Sequence, residues 1–114
     1  MKNDHVYLKH ILDAIGKIDS YVSVGHDAFM STSHWQDAVI RQLEIIGEAT
    51  KRLSVGLRSE HDEVPWRRIA GLRDVLIHDY MGVDLAAVWE ITQRDLPVLK
   101  KHVEVILSKS EDRQ

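Results

Sequence analysis

Cysteine is absent from the sequence, which excludes a disulfide framework and any thiolate metal site and fits a reducing cytoplasm. No apolar run approaches the roughly 20 residues needed to span a bilayer. The opening MKNDHVYLKH is too polar for a signal peptide, so no membrane association is expected and a cytoplasmic location is. Neither sign of charge dominates. A formal net charge of -3 argues against a general nucleic-acid-coating protein, whose affinity would come from phosphate neutralisation. No glycine-rich phosphate loop or nucleophile elbow is present, and period-two alternation of β-branched residues is nowhere sustained.

What remains has the composition of a soluble globular protein, 44% hydrophobic and 29% charged. Its 114 residues suffice for one domain and one core, expected to be ordered from about residue 4 to 108. Positive charge is concentrated locally. Residues 41–73 carry seven Lys/Arg (41, 51, 52, 58, 67, 68, 73) against five acids (44, 48, 60, 62, 63), whereas both flanks are net acidic.

Apolar residues recur at helical spacing in four blocks. The first carries Leu8, Ile11, Leu12, Ile15, Ile18 and Val22 behind an Asn3 or Asp4 cap, and breaks at Val24–Asp27. The second opens on Ser33 and Gln36, a capping-box spacing, and carries Val39, Leu43, Ile46, Ala49 and Leu53, with Gly56 as a left-handed stop. Residues 56–64 read as a loop. Pro65 restarts a helix from its first turn, with Ile69, Leu72, Val75 and Leu76 inward and Gly82 at its end. Asp84 caps the fourth block, which runs through Leu85, Val88, Trp89, Thr92, Leu96, Leu99, Val103 and Ile106. Pro97 is expected to bend that block by removing a backbone donor. The predicted fold is all-α, an antiparallel up-and-down four-helix bundle.

Within the third block the stretch RDVLIHDY (73–80) places Arg73, Asp74, His78 and Tyr80 among apolar residues. Asp74 and His78 are four apart and share a helix face, so the carboxylate can orient the imidazole. Arg73 and Tyr80, seven apart, share another. Arg73 and His78 are five apart, about 140° out of register at 100° per residue. They converge on one ligand only if the helix ends or distorts near His78 or if two chains build one site. The residue types suit phosphodiester cleavage: an imidazole to exchange protons near neutrality, a guanidinium to hold phosphate oxygens, and a phenol to bind phosphate or stack on a base. Taken singly, each has an ordinary reading as a surface or boundary residue.

Other groupings are weaker. His26-Asp27 and His61-Asp62-Glu63 offer metal-ligand types but sit in predicted loops without a convergent third ligand, so no metal site is expected. Trp35, Trp66 and Trp89 sit at helix starts or apolar stripes and read as packing residues rather than base-stacking platforms.

The spacing R-x(4)-H-x-Y filled by Arg73, His78 and Tyr80 resembles the signature of HEPN-domain proteins, specifically the HepT-like toxins. The likeness runs nearly the length of the chain. LKHILDAIGKI (8–18), IIGEATKRLS (45–54), VPWRRIAGLRDVLIHDYMGVDLAAVWEI (64–91) and DLPVL (95–99) are each similar to the family's run. The resemblance implies a HEPN-like helical domain and a metal-independent endoribonuclease with no cofactor, acting on cellular RNA as the toxin of a type II toxin–antitoxin pair. It implies Arg73 and His78 as catalytic residues with Asp74 and Tyr80 supporting them. It further implies a homodimer that brings two motifs to one cleft, open to a larger hetero-oligomer. The partner it implies is an MNT-type nucleotidyltransferase antitoxin that AMPylates Tyr80. The family often has asparagine where this chain has Asp74, which adds negative charge beside the proposed phosphate site. Gly47-Glu48-Ala49 also resembles a recurrent family feature, with small residues for close helix approach and Glu48 available to a motif cation. From a different class, a non-catalytic module that docks the nucleotidyltransferase stays open, on the acidic net charge and Asp74.

Overall fold

The computed structural model describes residues 2–72 and 84–112, with side-chain surroundings over 3–72 and 84–109. Among the described residues the secondary structure is entirely helical, with no strand, as the periodicity predicts. Helix α1 spans Lys2–Val22, α2 His26–Ser31, α3 Ser33–Lys51, α4 Val55–Glu60 and α5 Trp66–Ala70. After residue 83, α6 (Leu85–Glu90) passes through a π-turn (Ile91–Asp95) into α7 (Leu96–Asp112).

The core forms where the predicted stripes meet. Leu8, Ile11, Ile15 and Ile18 of α1 and Val39, Leu43 and Ile46 of α3 are buried against each other and against Val88, Leu96, Leu99 and Val103 of the C-terminal run. Each such side chain, fully withdrawn from water, contributes about 1.5–3 kcal/mol before conformational entropy is subtracted. Thr50 is fully buried in this layer, and its hydroxyl donates to the Ile46 carbonyl at 2.8 Å, so its burial leaves no orphan. The start of α1 lies beside the end of α3, through Asp4 and Ser54, while Tyr21 meets Trp35 at the opposite ends, with ring centroids 6.2 Å apart. The two longest helices are therefore antiparallel.

Several local expectations are corrected. Helix α1 begins at Lys2, ahead of both proposed caps, and Asp4 is buried in its first turn. Its carboxylate accepts from the Ser54 backbone N–H (2.8 Å) and Ser54 hydroxyl (2.7 Å), and so serves a residue fifty positions away. The Ser33/Gln36 capping box does not form. Thr32 occupies the N-cap in extended conformation without a side-chain bond. Gln36 Nε2 instead donates to the Phe29 and Met30 carbonyls at 3.0 and 3.1 Å, satisfying the end of α2. That short helix, unread in the sequence, buries Phe29 completely. Gly25 precedes it at φ 101°, a conformation that side chains rarely tolerate.

Gly56 is not a left-handed stop. The expected loop opens instead with α4, capped by Ser54, whose hydroxyl oxygen accepts from Leu57 N–H at 3.1 Å. Pro65 takes the N-cap position of α5, one residue earlier than expected. Trp66 is buried and donates its indole N–H to the His61 carbonyl at 2.9 Å, and Trp89 packs beside Phe29 at 5.4 Å, as packing residues should. Ile69 and Leu72 face the core as predicted. Val75, Leu76 and Gly82 lie outside the described residues.

Asp84 caps α6 as expected, accepting from Ala87 N–H at 3.0 Å. The Pro97 distortion takes the form of the π-turn: Leu96 N–H bonds to the Ile91 carbonyl, five residues back. A regular turn would aim the Gln93 carbonyl at a proline with no N–H and a bulky ring, and the wider turn relieves this.

The Asp4–Ser54 clamp ties the start of α1 to the cap of α4. Asp4→Ala is expected to destabilise the protein by about 1–3 kcal/mol, because Ser54 loses the partner of its two half-buried donors. Urea denaturation measures this, and a loss of only a few tenths would show that the clamp adds nothing.

Candidate functional site

The motif residues Arg73, Asp74, His78 and Tyr80 all lie outside the described residues. What the structure does describe is how the chain is delivered to that segment. Helix α5 ends at Ala70, Gly71 closes the turn by donating to the Arg67 and Arg68 carbonyls at 3.2 Å, and Leu72 is buried one residue before Arg73.

Two contacts fix this lead-in. On one side, Gly47 of α3 faces the end of α5 so closely that an added Cβ would stand 3.1 Å from the Ala70 carbonyl oxygen and 3.5 Å from that of Ile69. The close approach expected of the Gly47-Glu48-Ala49 stretch is therefore present, and its partner is α5. On the other side, Arg68 Nη2 meets Asp95 Oδ2 of the π-turn at 2.7 Å. Arg68 is well exposed, so this pair is worth at most about 1 kcal/mol and acts mainly as a positional tie. Below it lies a small apolar cavity of about 180 Å³ between Val64, Ile69 and Leu72 on one wall and Leu96 and Leu99 on the other.

A second cavity opens beside Gly47. It is polar, about 360 Å³, and lined from α3 by Arg41, Glu44, Ile45, Glu48 and Lys51, with Ala70 of α5 closing it. The residues at 41, 44, 48 and 51 follow one another by three or four positions and therefore share one helix face. Arg41, Glu48 and Lys51 are exposed, and Glu44 is half-buried. A pairing of Glu48 with a motif cation involves Arg73 and so lies outside the described residues. In the sequence, Arg41 and Lys51 enter only as part of a local charge excess. Their spacing with Glu44 and Glu48 is the sequence signal that they form a single row on one face of α3.

The remaining titratable pairs are small. His26 Nδ1 lies 3.3 Å from Asp27 Oδ1 and His61 Nδ1 3.8 Å from Glu63 Oε2, and among the described residues no three such side chains converge on a point. No helix among them is long and apolar enough to cross a membrane.

A family model described as HepT-like, "Ribonuclease HepT-like", matches residues 11–106. A "putative RNase" of Caldanaerobacter subterraneus subsp. tengcongensis is 41% identical over 110 residues, covering 96% of this chain and 98% of that one. A "probable ribonuclease HepT" of Thermococcus cleftensis is 42% identical over 102 residues, covering 88% and 93% respectively. A Methanocaldococcus jannaschii protein named as a gamma-glutamylcyclotransferase and "putative RNase" is 43% identical over 103 residues; the match takes in 90% of this chain but only 46% of that longer protein. No solved structure matches.

If the Gly47 contact sets the height of α5, a larger residue there must push the two helices apart. Gly47→Val should cost about 1–3 kcal/mol by overpacking against the Ala70 and Ile69 carbonyls. Chemical denaturation reads this, and wild-type stability in the variant would mean that the helices separate freely.

Proposed function

Because the chain belongs to the HepT-like ribonuclease family, we propose that it is a metal-independent endoribonuclease acting as the toxin of a toxin–antitoxin pair. The observation that carries this reading is the match over residues 11–106, which contains the whole R-x(4)-H-x-Y motif in a chain almost coextensive with a relative named "putative RNase". The 114 residues act as one HepT-like domain.

The chemistry follows from the residue types. His78 accepts the proton of an RNA 2′-hydroxyl, the 2′-oxygen attacks the adjacent phosphorus, and the 5′-oxygen leaves with a proton returned by an imidazole. Arg73 holds the non-bridging oxygens as negative charge builds on them. Asp74, four residues before His78, orients the ring, and Tyr80 donates to a phosphate oxygen. A homodimer supplies the second motif, bringing an arginine and a histidine from different subunits to one phosphate. Silencing comes from an MNT-type nucleotidyltransferase: the Tyr80 oxygen attacks the α-phosphorus of ATP and pyrophosphate leaves. The adenylyl phosphate then occupies the anion site beside Arg73 and repels RNA.

The acidic net charge and Asp74 favour a second reading, in which the bundle only docks the transferase and is modified by it without turning over RNA. Purified protein incubated with cellular RNA separates the two. The nuclease reading expects cleavage that persists in EDTA and falls by about 10²-fold or more in His78→Ala, with a comparable loss in Arg73→Ala. Intact RNA in every buffer, alongside a stable complex with the transferase, would support the docking module. Co-expression with the transferase should add the mass of adenylyl groups to the wild type, and Tyr80→Phe should remove the increment.

A further inference from the structure

The polar cleft beside Gly47 takes no part in the proton transfers above, yet Ala70 on its wall is three residues from Arg73. Its volume, about 360 Å³, falls in the range of small-molecule sites. Its lining is chemically specific. Arg41, Glu44, Glu48 and Lys51 form one row along α3, about 15 Å from end to end at 1.5 Å per residue. Ile45, Gly47 and Ala70 supply the uncharged part of the lining, beside the row.

A purely anionic ligand would meet the two carboxylates, and a purely cationic one would meet Arg41 and Lys51. A nucleotide unit of single-stranded RNA suits both. Its flanking phosphates want cations at the ends of the row, and its base lies against the uncharged part of the lining. A base edge bearing N–H donors then finds a carboxylate in the middle. Guanine presents N1–H and N2–H₂ side by side, matching the two oxygens of one carboxylate, while uracil offers a single donor between two acceptors. Glu44 is already engaged within the protein, whereas Glu48 is exposed, and the subsite uses the Glu48 carboxylate for the base in place of the Arg73 pairing that the family resemblance suggests.

We propose that this cleft is a guanine-reading nucleotide subsite for RNA, in which Glu48 accepts from the base edge while Arg41 and Lys51 hold the neighbouring phosphates. The proposal takes its substrate from the ribonuclease reading. It makes Glu48 a specificity-determining residue, since a Gln at that position would turn an amide N–H₂ towards donors.

The test maps cleavage sites in a transcript carrying a randomised single-stranded segment. The wild type is expected to show guanine enriched about fivefold or more at one fixed position relative to the cut, the lower end of discrimination by a paired contact. Glu48→Gln should reduce that enrichment to below about twofold, while Arg41→Ala and Lys51→Ala raise KM severalfold and flatten its salt dependence. Cleavage without base bias, or with a bias that Glu48→Gln retains, overturns the subsite and leaves the nuclease reading standing. If the wild type cuts no RNA, the nuclease reading falls, and fluorescence anisotropy decides the subsite. Tighter binding of a guanine-bearing oligonucleotide than of its uracil counterpart, lost in Glu48→Gln, supports it; equal binding overturns it.

Discussion

The close passage of α3 against the end of α5 governs how the molecule can work. At Gly47 two backbones meet with no side chain between them, the missing methylene leaving room for the Ala70 and Ile69 carbonyls. The contact sits where the sequence needs accuracy, just before the run that begins at Arg73. In the proposed mechanism Arg73 meets a phosphate, and such a contact tolerates little slack in the element that delivers it. Backbone packed on backbone has fewer soft degrees of freedom than side chain on side chain. The Arg68–Asp95 tie and the burial of Leu72 hold the same short helix from its other side.

The other described helices support that contact. Helix α3 can serve as a reference surface because it is itself fixed at both ends. Asp4 binds Ser54 beyond its C-terminus, and Gln36 locks its first turn to the end of α2. Asp95, which reaches Arg68, belongs to the π-turn that accommodates Pro97. A proline that looks like a defect in a long helix thus coincides with the turn carrying the α5 tie. Wide turns of this kind often occur near functional sites, and here the adjacency to α5 gives that tendency a mechanical meaning.

The apolar pattern made the all-α class and the long helices legible. Stripes at three- and four-residue spacing located α1, α3 and the C-terminal run and named most of the core, because burial of one helix face leaves a periodic trace. Capping was less legible. Ser33 and Gln36 have the spacing of a capping box, but a neighbouring helix offered Gln36 two unsatisfied carbonyls, and local sequence does not reveal competition from a tertiary partner. The same holds for Asp4, whose true partner is fifty residues away. Short helices such as α2 and α4 escaped because six residues carry too few periods to register. For the site, Gly47 was readable as a place of close approach. The row from Arg41 to Lys51 was visible only as net charge, since nothing in the linear pattern showed that α5 would close a cleft over it.

The central claim is that Arg73 and His78, five residues apart on one chain, act on a common phosphate because two subunits pair. Subunit complementation tests this most directly. Arg73→Ala and His78→Ala proteins, each unable to cut RNA alone, are unfolded together, refolded as mixed dimers and assayed. The account predicts that cleavage returns in the mixture, since one composite site regains an arginine from one subunit and a histidine from its partner. Mixed dimers that form and remain inactive would contradict it.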